Sequence, residues 1–362
     1  MSSLGPDATI GILGGGQLGR MLALAAARLG FKCHVLCPDP RSPAFDVVRR
    51  VTEADYLDFA ALDRFASDVD VVTYEFENVP AETATFLSAR KPVLPDPKVL
   101  ATTQDRLVEK QFVQGLGIGT AKFAAVDSAG DLAAALAAVG KPAVLKTRRF
   151  GYDGKGQMLI RERADPAAFD ELGGQPQILE AFVPFEREIS VVAARGHDGR
   201  VVCFDVTENE HQDHILKTSC APAGVTPAVA GEALRIAEKI AEAFGYVGVL
   251  AVEMFVVKDG AGHAVLVNEI APRVHNSGHW TIDGASISQF EQHIRAVAGL
   301  PLGVPVRRGR IEMINLLGAE VEDYRGYLAE PGTAVHLYGK TGVRAGRKMG
   351  HVTRVFPEQA GS

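Results

Sequence analysis

Near the N-terminus, short apolar runs alternate with segments of helical period. Ala8 to Leu13 is an apolar run that breaks at Gly14-Gly15-Gly16 and leads into a helical pattern from about Gln17 to Leu29. Strands follow at Lys32 to Leu36 and Asp70 to Tyr74. Strand, glycine turn and helix in this order predict a Rossmann-like α/β unit. The stretch KPVLPDPK, Lys91 to Lys98, reads as a linker. Beyond it the pattern predicts a helix from about Thr103 to Leu116, a strand over Lys122 to Val126, a helix over Asp131 to Val139 and a strand over Ala143 to Lys146. Strands then crowd together at Gln177 to Ala181, Arg187 to Ala194 and Val201 to Val206. The polar segment ENEHQDHILK, Glu208 to Lys217, reads as a loop, and an amphipathic helix spans about Ala228 to Phe244. Strands Val249 to Val257 and Ala264 to Ile270 flank a glycine turn, and a helix covers Ile287 to Ala298. A boundary at Pro301 to Pro305 precedes a small β unit from about Arg310.

At 362 residues the chain is long enough for two or three domains. Its 47% hydrophobic and 23% charged residues are those of a soluble globular protein. A net charge of −6 argues against a nucleic-acid partner, and no apolar stretch reaches membrane-span length, so no membrane partner is expected. The start MSSLGPDATIGIL lacks the basic head and apolar core of a signal peptide. Cys33, Cys37, Cys203 and Cys220 show no zinc spacing and read as reduced thiols of a cytoplasmic protein.

Candidate chemistry falls at the ends of the strands. Gly14, Gly16 and Gly19 fit G-x-G-x-x-G, with Asp39 where a dinucleotide enzyme places its ribose-binding acid. Nicotinamide binding and plain Rossmann-like packing or phosphate binding are both open on that motif. Glu75 and Glu77 follow the strand that ends at Tyr74, and Glu75 is placed to face the same crevice as Gly16. After Lys146, the sequence TRRFGYDGKGQ sets Gly151, Gly154 and Gly156 around Tyr152, Asp153 and Lys155, ahead of Gln157. Its composition suits a mobile flap over polyphosphate, with an exposed hairpin turn as the alternative. Glu180 lies in a strand interrupted at Phe182-Val183-Pro184, with Glu188 near the start of the next. His211 and His214, three apart, have no third ligand at zinc spacing.

The stretch Val267 to Asp283 gathers the most hydrogen-bonding chemistry: Glu269, Arg273, His275, Asn276, Ser277, His279 and Trp280. It reads as the floor of an active site, since each such group costs about 1–3 kcal/mol if buried unpaired. A hairpin centred on Ala261 sets Glu253 opposite Glu269, each eight residues from the centre. Two facing carboxylates in an apolar pair of strands need a shared proton or, better, a magnesium ion. Strict alternation turns Asn268 to the other face, so a metal contact from it requires a twist or bulge. In KTGVRAGRKMGH, the cations Lys340, Arg344, Arg347 and Lys348 form either a solvated loop or a clamp on a substrate phosphate.

Taken together these residues resemble the ATP-grasp enzymes, and among them a carboxylating ligase of purine biosynthesis. The matching segments are GGGQLGRM from Gly14, YEFENVP from Tyr74, QDRLVEK from Gln104, KTRRFGYDGKGQ from Lys146, VGVLAVEMF from Val247, NEIAPRVHNSGHWT from Asn268 and GRKMGH from Gly346. The resemblance implies an α/β and α+β chain with the ATP-grasp fold. It divides into a Rossmann-like pre-ATP-grasp domain at 1–98, a central domain with the ATP lid at 99–185, an ATP-grasp C-terminal domain with the metal site at 186–300, and a small β subdomain at 301–362.

It implies further that Arg106, Lys146 and the loop Gly151 to Gln157 hold nucleotide phosphates. Glu180, Ala181, Phe182, Val183, Glu188 and His211 hold adenine and ribose, with Asn268 and Glu269 also at the nucleotide. Glu253 and Glu269 are the implied Mg²⁺ ligands. Gly16, Gln17, Leu18, Glu75, Arg273, His275, Asn276, Ser277, Lys340, Arg347 and Lys348 are the implied contacts to a ribonucleotide. Tyr152, Asp153, Lys155 and Arg273 form the catalytic group, with Asp153 as orienting group or base. The implied reaction uses ATP to activate bicarbonate as carboxyphosphate, whose carboxyl group passes to the 5-amino group of aminoimidazole ribonucleotide. A homodimer is the implied assembly. A formate-using transformylase of the same superfamily, an oxidoreductase and a non-catalytic nucleotide-binding module are the competing readings.

Overall fold

The structure, a computed structural model, describes residues 3–151, 154–163 and 165–357. The N-terminal unit runs β1 (Thr9–Leu13), α1 (Gln17–Arg28), β2 (Lys32–Cys37), β3 (Arg50–Glu53), α2 (Phe59–Ser67), β4 (Val71–Tyr74) and α3 (Ala81–Ser88). Its sheet is parallel, in the order β3-β2-β1-β4, so the carboxyl ends of β1 and β4 open side by side. Glycine turn and acids therefore meet at one edge, as expected for an open α/β sheet.

Two elements differ from the expected pattern. Lys91 to Lys98 is not a free linker: Val72 N donates to Pro92 O and Leu94 N to Val72 O, both at 2.8 Å, which lays the segment along β4. The helix expected over Thr103 to Leu116 is α5 (Arg106–Gly115), and a second helix that was not expected, α4 (Pro97–Thr103), precedes it. Asp105 separates them because its side chain caps α5, accepting from Leu107 N at 2.9 Å.

The central unit contains β5 (Phe123–Val126), α6 (Leu132–Val139), β6 (Ala143–Thr147), β7 (Gln157–Ile160), α7 (Ala167–Glu171) and β8 (Gln177–Ala181). These strands form an antiparallel sheet, β5-β8-β6-β7, over its own core of Val126, Leu136, Leu145 and Leu179. Next come β9 (Arg187–Arg195), β10 (Val201–Cys203), β11 (Thr207–Gln212), β12 (Ile215–Ala221), α8 (Pro227–Ala243), β13 (Gly248–Asp259), β14 (Gly262–Ala271), α9 (Thr281–Gly284) and α10 (Gln289–Val297). The chain closes with β15 (Arg310–Leu317), α11 (Tyr324–Ala329), β16 (Thr333–Leu337) and β17 (Lys348–Phe356).

Strands β9 to β17 form one sheet, β14-β13-β9-β11-β12-β15-β17-β16, with β10 paired to β9. The C-terminal β unit thus joins edge to edge through β12 and β15, where Thr218 faces Ile314. Glu208 to Lys217 is a hairpin of β11 and β12 and not a loop. Strand β11 shows no hydrophobic period because its buried positions, Thr207 and Asn209, are themselves polar. The hairpin turns on Asp213 and His214, both with left-handed φ, 50° and 64°.

Helix α8 covers one face of the large sheet, packing Ala233, Ile236 and Ile240 against Ile189, Val191, Leu250 and Val252. Helix α10 lies under α1 and ties the N-terminal unit down. Its His293 is fully buried, accepts from Val249 N at 3.1 Å through Nδ1 and therefore donates through Nε2 to Thr73 Oγ1 at 2.8 Å. Burial lowers this histidine to about 4, so it is neutral and bridges β4 to β13 without charge.

Candidate active site

A cleft of about 1410 Å³ opens where the three sheets converge. From the N-terminal unit Gln17, Leu18, Glu75 and Glu77 line it. Arg106 comes from α5, and Lys146, Gly151, Gly154, Lys155 and Gln157 come from β6 and the flap. Glu180 to Val183, Glu188, His211, Glu253, Asn268, Glu269, Arg273, His275, Asn276 and Lys348 complete the wall. Tyr152 and Asp153 lie outside the described residues.

The two acids of the β13–β14 hairpin meet, but not by the expected symmetry. The turn is Gly260-Ala261, because Asp259 pairs with Gly262 and the register holds to Met254 opposite Val267. Continued regularly, Glu253 would face Asn268. A bulge at that point makes Glu253 the partner of Glu269. The same bulge brings Asn268 into the cleft wall beside Glu269, which alternation would forbid.

Each carboxylate has a basic side chain beside it. Glu253 lies 2.9 Å from His275 Nε2 and Glu269 accepts from Arg106 Nη1 at 2.9 Å. Burial would push the Glu253 carboxyl up, yet the adjoining His275 ring holds it well below the ordinary range. The Asn268 Oδ1 atom is buried and has no hydrogen-bond partner among the described residues. Two opposed carboxylates beside an orphaned amide oxygen are a hard-oxygen donor set, which fits magnesium. Among the described residues no three His, Cys, Asp or Glu side chains converge on a metal position. The fit thus rests on two acids and an amide.

Glu180 lies on β8 with its Oε2 3.1 Å from Lys146 Nζ and 3.3 Å from Lys110 Nζ. Desolvation opposes its charge, but Lys146, Lys110 and Arg106 outweigh it and hold the acid down at about 2. Lys146 is itself lowered, by burial against the pull of Glu180. Glu188 pairs with His211 Nδ1, whose burial is outweighed by that carboxylate so that its pKa rises. His214 lines the same cleft against Gly154: a Cβ built on that glycine would come within 2.7 Å of the His214 Cγ. The hairpin tip therefore packs directly on the flap. Gly154 also has φ +75°, so Gly154→Ala is expected to cost about 1–2 kcal/mol in the packed position. A several-fold higher KM for ATP with little change in thermal stability would register it.

The glycine turn is filled from within. Glu75 accepts from Gly19 N at 2.7 Å and also from Gly16 N, so a carboxylate occupies the α1 N-terminus where a dinucleotide would place its pyrophosphate. A Cβ on Gly16 would meet Glu75 Oε1 at 2.6 Å, which accounts for that glycine by close packing. The nicotinamide reading of Gly14, Gly16 and Asp39 fails on this contact. Gly16 supports the cleft floor while Gln17 and Leu18 line it.

Val267 to Asp283 divides. Arg273 ion-pairs with Glu77 across the cleft, and His275 and Asn276 reach its wall. Ser277, His279 and Trp280 do not: they are fully or almost fully buried. Ser277 Oγ accepts from Ser190 Oγ at 2.8 Å and Trp280 Nε1 donates to Thr207 Oγ1 at 3.1 Å. The Ser277 and Trp280 polar atoms are satisfied by the sheet beneath, while His279 Nε2 is buried without a partner among the described residues, so the floor expected to end at Trp280 ends at Asn276. Lys348 lines the cleft. Lys340 donates to Lys348 O at 2.8 Å and Arg347 to Gly342 O at 2.9 Å, so both brace the loop behind it. Sequence reasoning places Lys110 on this helix with Asp105 and Arg106 but gives it no role, and misses Glu109; both are buried ionisable side chains on α5 whose sequence signal is their spacing from Arg106.

Comparison with known proteins agrees with this geometry. Residues 7–104 match a ribonucleotide synthetase preATP-grasp domain, 111–290 an ATP-grasp domain, and 312–360 a phosphoribosylaminoimidazole carboxylase C-terminal domain. A Brucella melitensis protein named N5-carboxyaminoimidazole ribonucleotide synthase is 51% identical over 359 residues, covering 98% of each chain. The chain belongs to the N5-carboxyaminoimidazole ribonucleotide synthase family. It is an ATP-grasp ligase by fold and membership. An N5-carboxyaminoimidazole ribonucleotide synthetase solved as its ADP complex superposes at a TM-score of 0.94 with 41% identity, covering 98% of this chain and 94% of that one. The Aspergillus clavatus N5-carboxyaminoimidazole synthase, solved with ADP and 5-aminoimidazole ribonucleotide, superposes at 0.89 with 31% identity, covering 97% of this chain and 94% of its own. Synthases of this family therefore share the three-sheet convergence that forms the cleft.

Proposed function

We propose that this chain carboxylates the 5-amino group of 5-aminoimidazole ribonucleotide with ATP and bicarbonate, through carboxyphosphate, releasing ADP and phosphate. The observation that carries the reading is one cleft lined both by nucleotide-type groups on β6, β8 and β14 and by ribonucleotide-type groups at Gln17, Glu75, Arg273 and Lys348. Glu180 to Val183, Glu188 and His211 serve as the adenosine pocket, and Arg106, Lys146 and the flap Gly151 to Gln157 as the phosphate cradle. Magnesium, held by Glu253 and Glu269 with Asn268 alongside, would offset phosphate charge and orient the phosphoryl group.

The remaining chemistry belongs to the side chains. Lys146 and Lys155 neutralise charge that builds on the transferring group, and the flap excludes water from an acyl phosphate that water would destroy. Arg273, fixed by Glu77, binds the anionic part of the ribonucleotide or its carboxylated product. Asp153 and Tyr152, by their place in the flap sequence, are assigned to orient the amine. The domain limits 1–98, 99–185, 186–300 and 301–362 belong to the same reading, as do a cytoplasmic location and a homodimer. Four free thiols support a reducing compartment, and light scattering checks the assembly.

Bicarbonate labelled with oxygen-18 is expected to leave label in the released phosphate during turnover, read by mass spectrometry. Full turnover with unlabelled phosphate would exclude carboxyphosphate. Turnover with formate and glycinamide ribonucleotide in place of bicarbonate and aminoimidazole ribonucleotide would assign the transformylase reaction instead.

A further inference from the structure

The bulge that turns Asn268 and Glu269 together into the cleft interrupts a β-ladder, and an interrupted ladder leaves main-chain groups to be satisfied by something else. One face of α5 meets them. Lys110 Nζ donates to Asn268 O at 2.8 Å and lies 3.5 Å from Val267 O, while Glu109 Oε2 accepts from Ile270 N at 3.1 Å. Between these two contacts Arg106 Nη1 donates to Glu269 Oε2 at 2.9 Å. Positions 109 and 110 stand one turn beyond 106 on the helix, so the three face β14 as a unit.

Lys110 and Glu109 are 2% and 3% exposed, too buried to be solvated, and burial pushes the Glu109 carboxyl up to about 8, so near neutrality it accepts as the uncharged acid. Lys110 is also 3.3 Å from Glu180 Oε2, so its charge is met by an acid on the opposite side. Such burial is tolerated only where the polar groups have defined partners.

We propose that this face of α5 sets the metal-ligand bulge, with Lys110 as its positioning residue. The inference rests on the magnesium reading of Glu253, Asn268 and Glu269. Without the ammonium group the Asn268 carbonyl loses its donor, and regular pairing becomes the better alternative. A one-residue slip then sets Glu253 against Asn268 and turns Glu269 to the other face.

The test is binding of Mn²⁺, read by electron paramagnetic resonance of the free ion, to full-length protein saturated with a non-hydrolysable ATP analogue. Lys110→Met is expected to weaken Mn²⁺ by about tenfold or more, the range found when a group that orients metal ligands is removed. Affinity for metal-free ADP stays within about threefold, because Glu180, although it loses Lys110 at 3.3 Å, keeps Lys146 at 3.1 Å and holds its place in the adenosine pocket. In a Glu269→Ala background the same change adds little, since the ligand it positions is gone. Equal loss of Mn²⁺ and metal-free ADP, or full additivity in that background, overturns the proposal. Glu109→Ala, which removes the acceptor of Ile270 N, is the independent arm should Lys110→Met not fold. The same selective loss supports the proposal, and unchanged Mn²⁺ affinity overturns it. If Glu269→Ala alone leaves Mn²⁺ affinity unchanged, the magnesium reading is what has failed.

Discussion

Glu269→Ala is expected to lower kcat by about 10³-fold or more while ADP binding without metal is retained. Glu269 is the point where the structure concentrates charge management: Arg106 at 2.9 Å on one side, Glu253 across the ladder on the other. Removing it takes away half of the paired carboxylates and leaves Arg106 facing phosphate without its acid. A factor of 10³ corresponds to about 4 kcal/mol of transition-state stabilisation, the scale expected if Glu269 is a metal ligand as proposed. Its side chain is 37% exposed, so unfolding should shift little, which separates loss of chemistry from loss of fold. Phosphate release at saturating substrates, beside a thermal melt, measures both. Retention of kcat within tenfold would remove Glu269 from the reacting centre.

The second large effect is expected from Arg273→Ala, through stability as well as binding. The Arg273 and Glu77 side chains are 17% and 29% exposed, and truncating one leaves the other charge largely buried and unpaired. The loss should be about 3 kcal/mol at pH 7. Its pH dependence has a definite sign. Desolvation raises the Glu77 carboxyl, Arg273 more than reverses this, and the net pKa in the folded protein lies below the ordinary 4.5. A depressed carboxylate stabilises the fold above its unfolded pKa, and that contribution disappears as pH falls through the folded value. Denaturant midpoints of parent and variant should therefore differ most near neutrality and converge as pH falls below 4.5 and through the depressed folded value of Glu77. In parallel the KM for the ribonucleotide should rise on the order of 10²-fold, with KM for ATP changed much less. Glu77→Gln added to Arg273→Ala should restore part of the stability and none of the binding. A gap in midpoints that stays constant with pH would argue that the pair is not the source.

The N-terminal strand, glycine turn and helix were legible because apolar runs and glycines have local causes: a period of two, a period of three to four, and a turn that admits no side chain. The opposition of Glu253 and Glu269 was legible in outcome and not in cause. Symmetry about Ala261 put the two acids together, whereas the chain turns at Gly260-Ala261 and recovers the pairing with a bulge. Nothing local marks that bulge, since its stabilising partners lie on α5, some 160 positions away in the chain. The β11–β12 hairpin was hidden for a related reason. A strand whose buried positions, Thr207 and Asn209, are polar carries no hydrophobic period.

Ser277 and Trp280 show the converse limit. Hydrogen-bonding groups after a core strand suggest a ligand, yet Ser190 and Thr207 satisfy these two from below. Composition cannot say whether a polar atom's partner is a substrate or the protein. The chain's own residues thus specify the α/β units, the flap and the inventory of acids and lysines, since these follow from spacing along the backbone. Which of those groups share a cleft, which pair with one another and which turn inward depends on sheets brought together by α10, His293 and the α5 face. Such contacts join distant segments through side-chain geometry, and linear order carries no record of it.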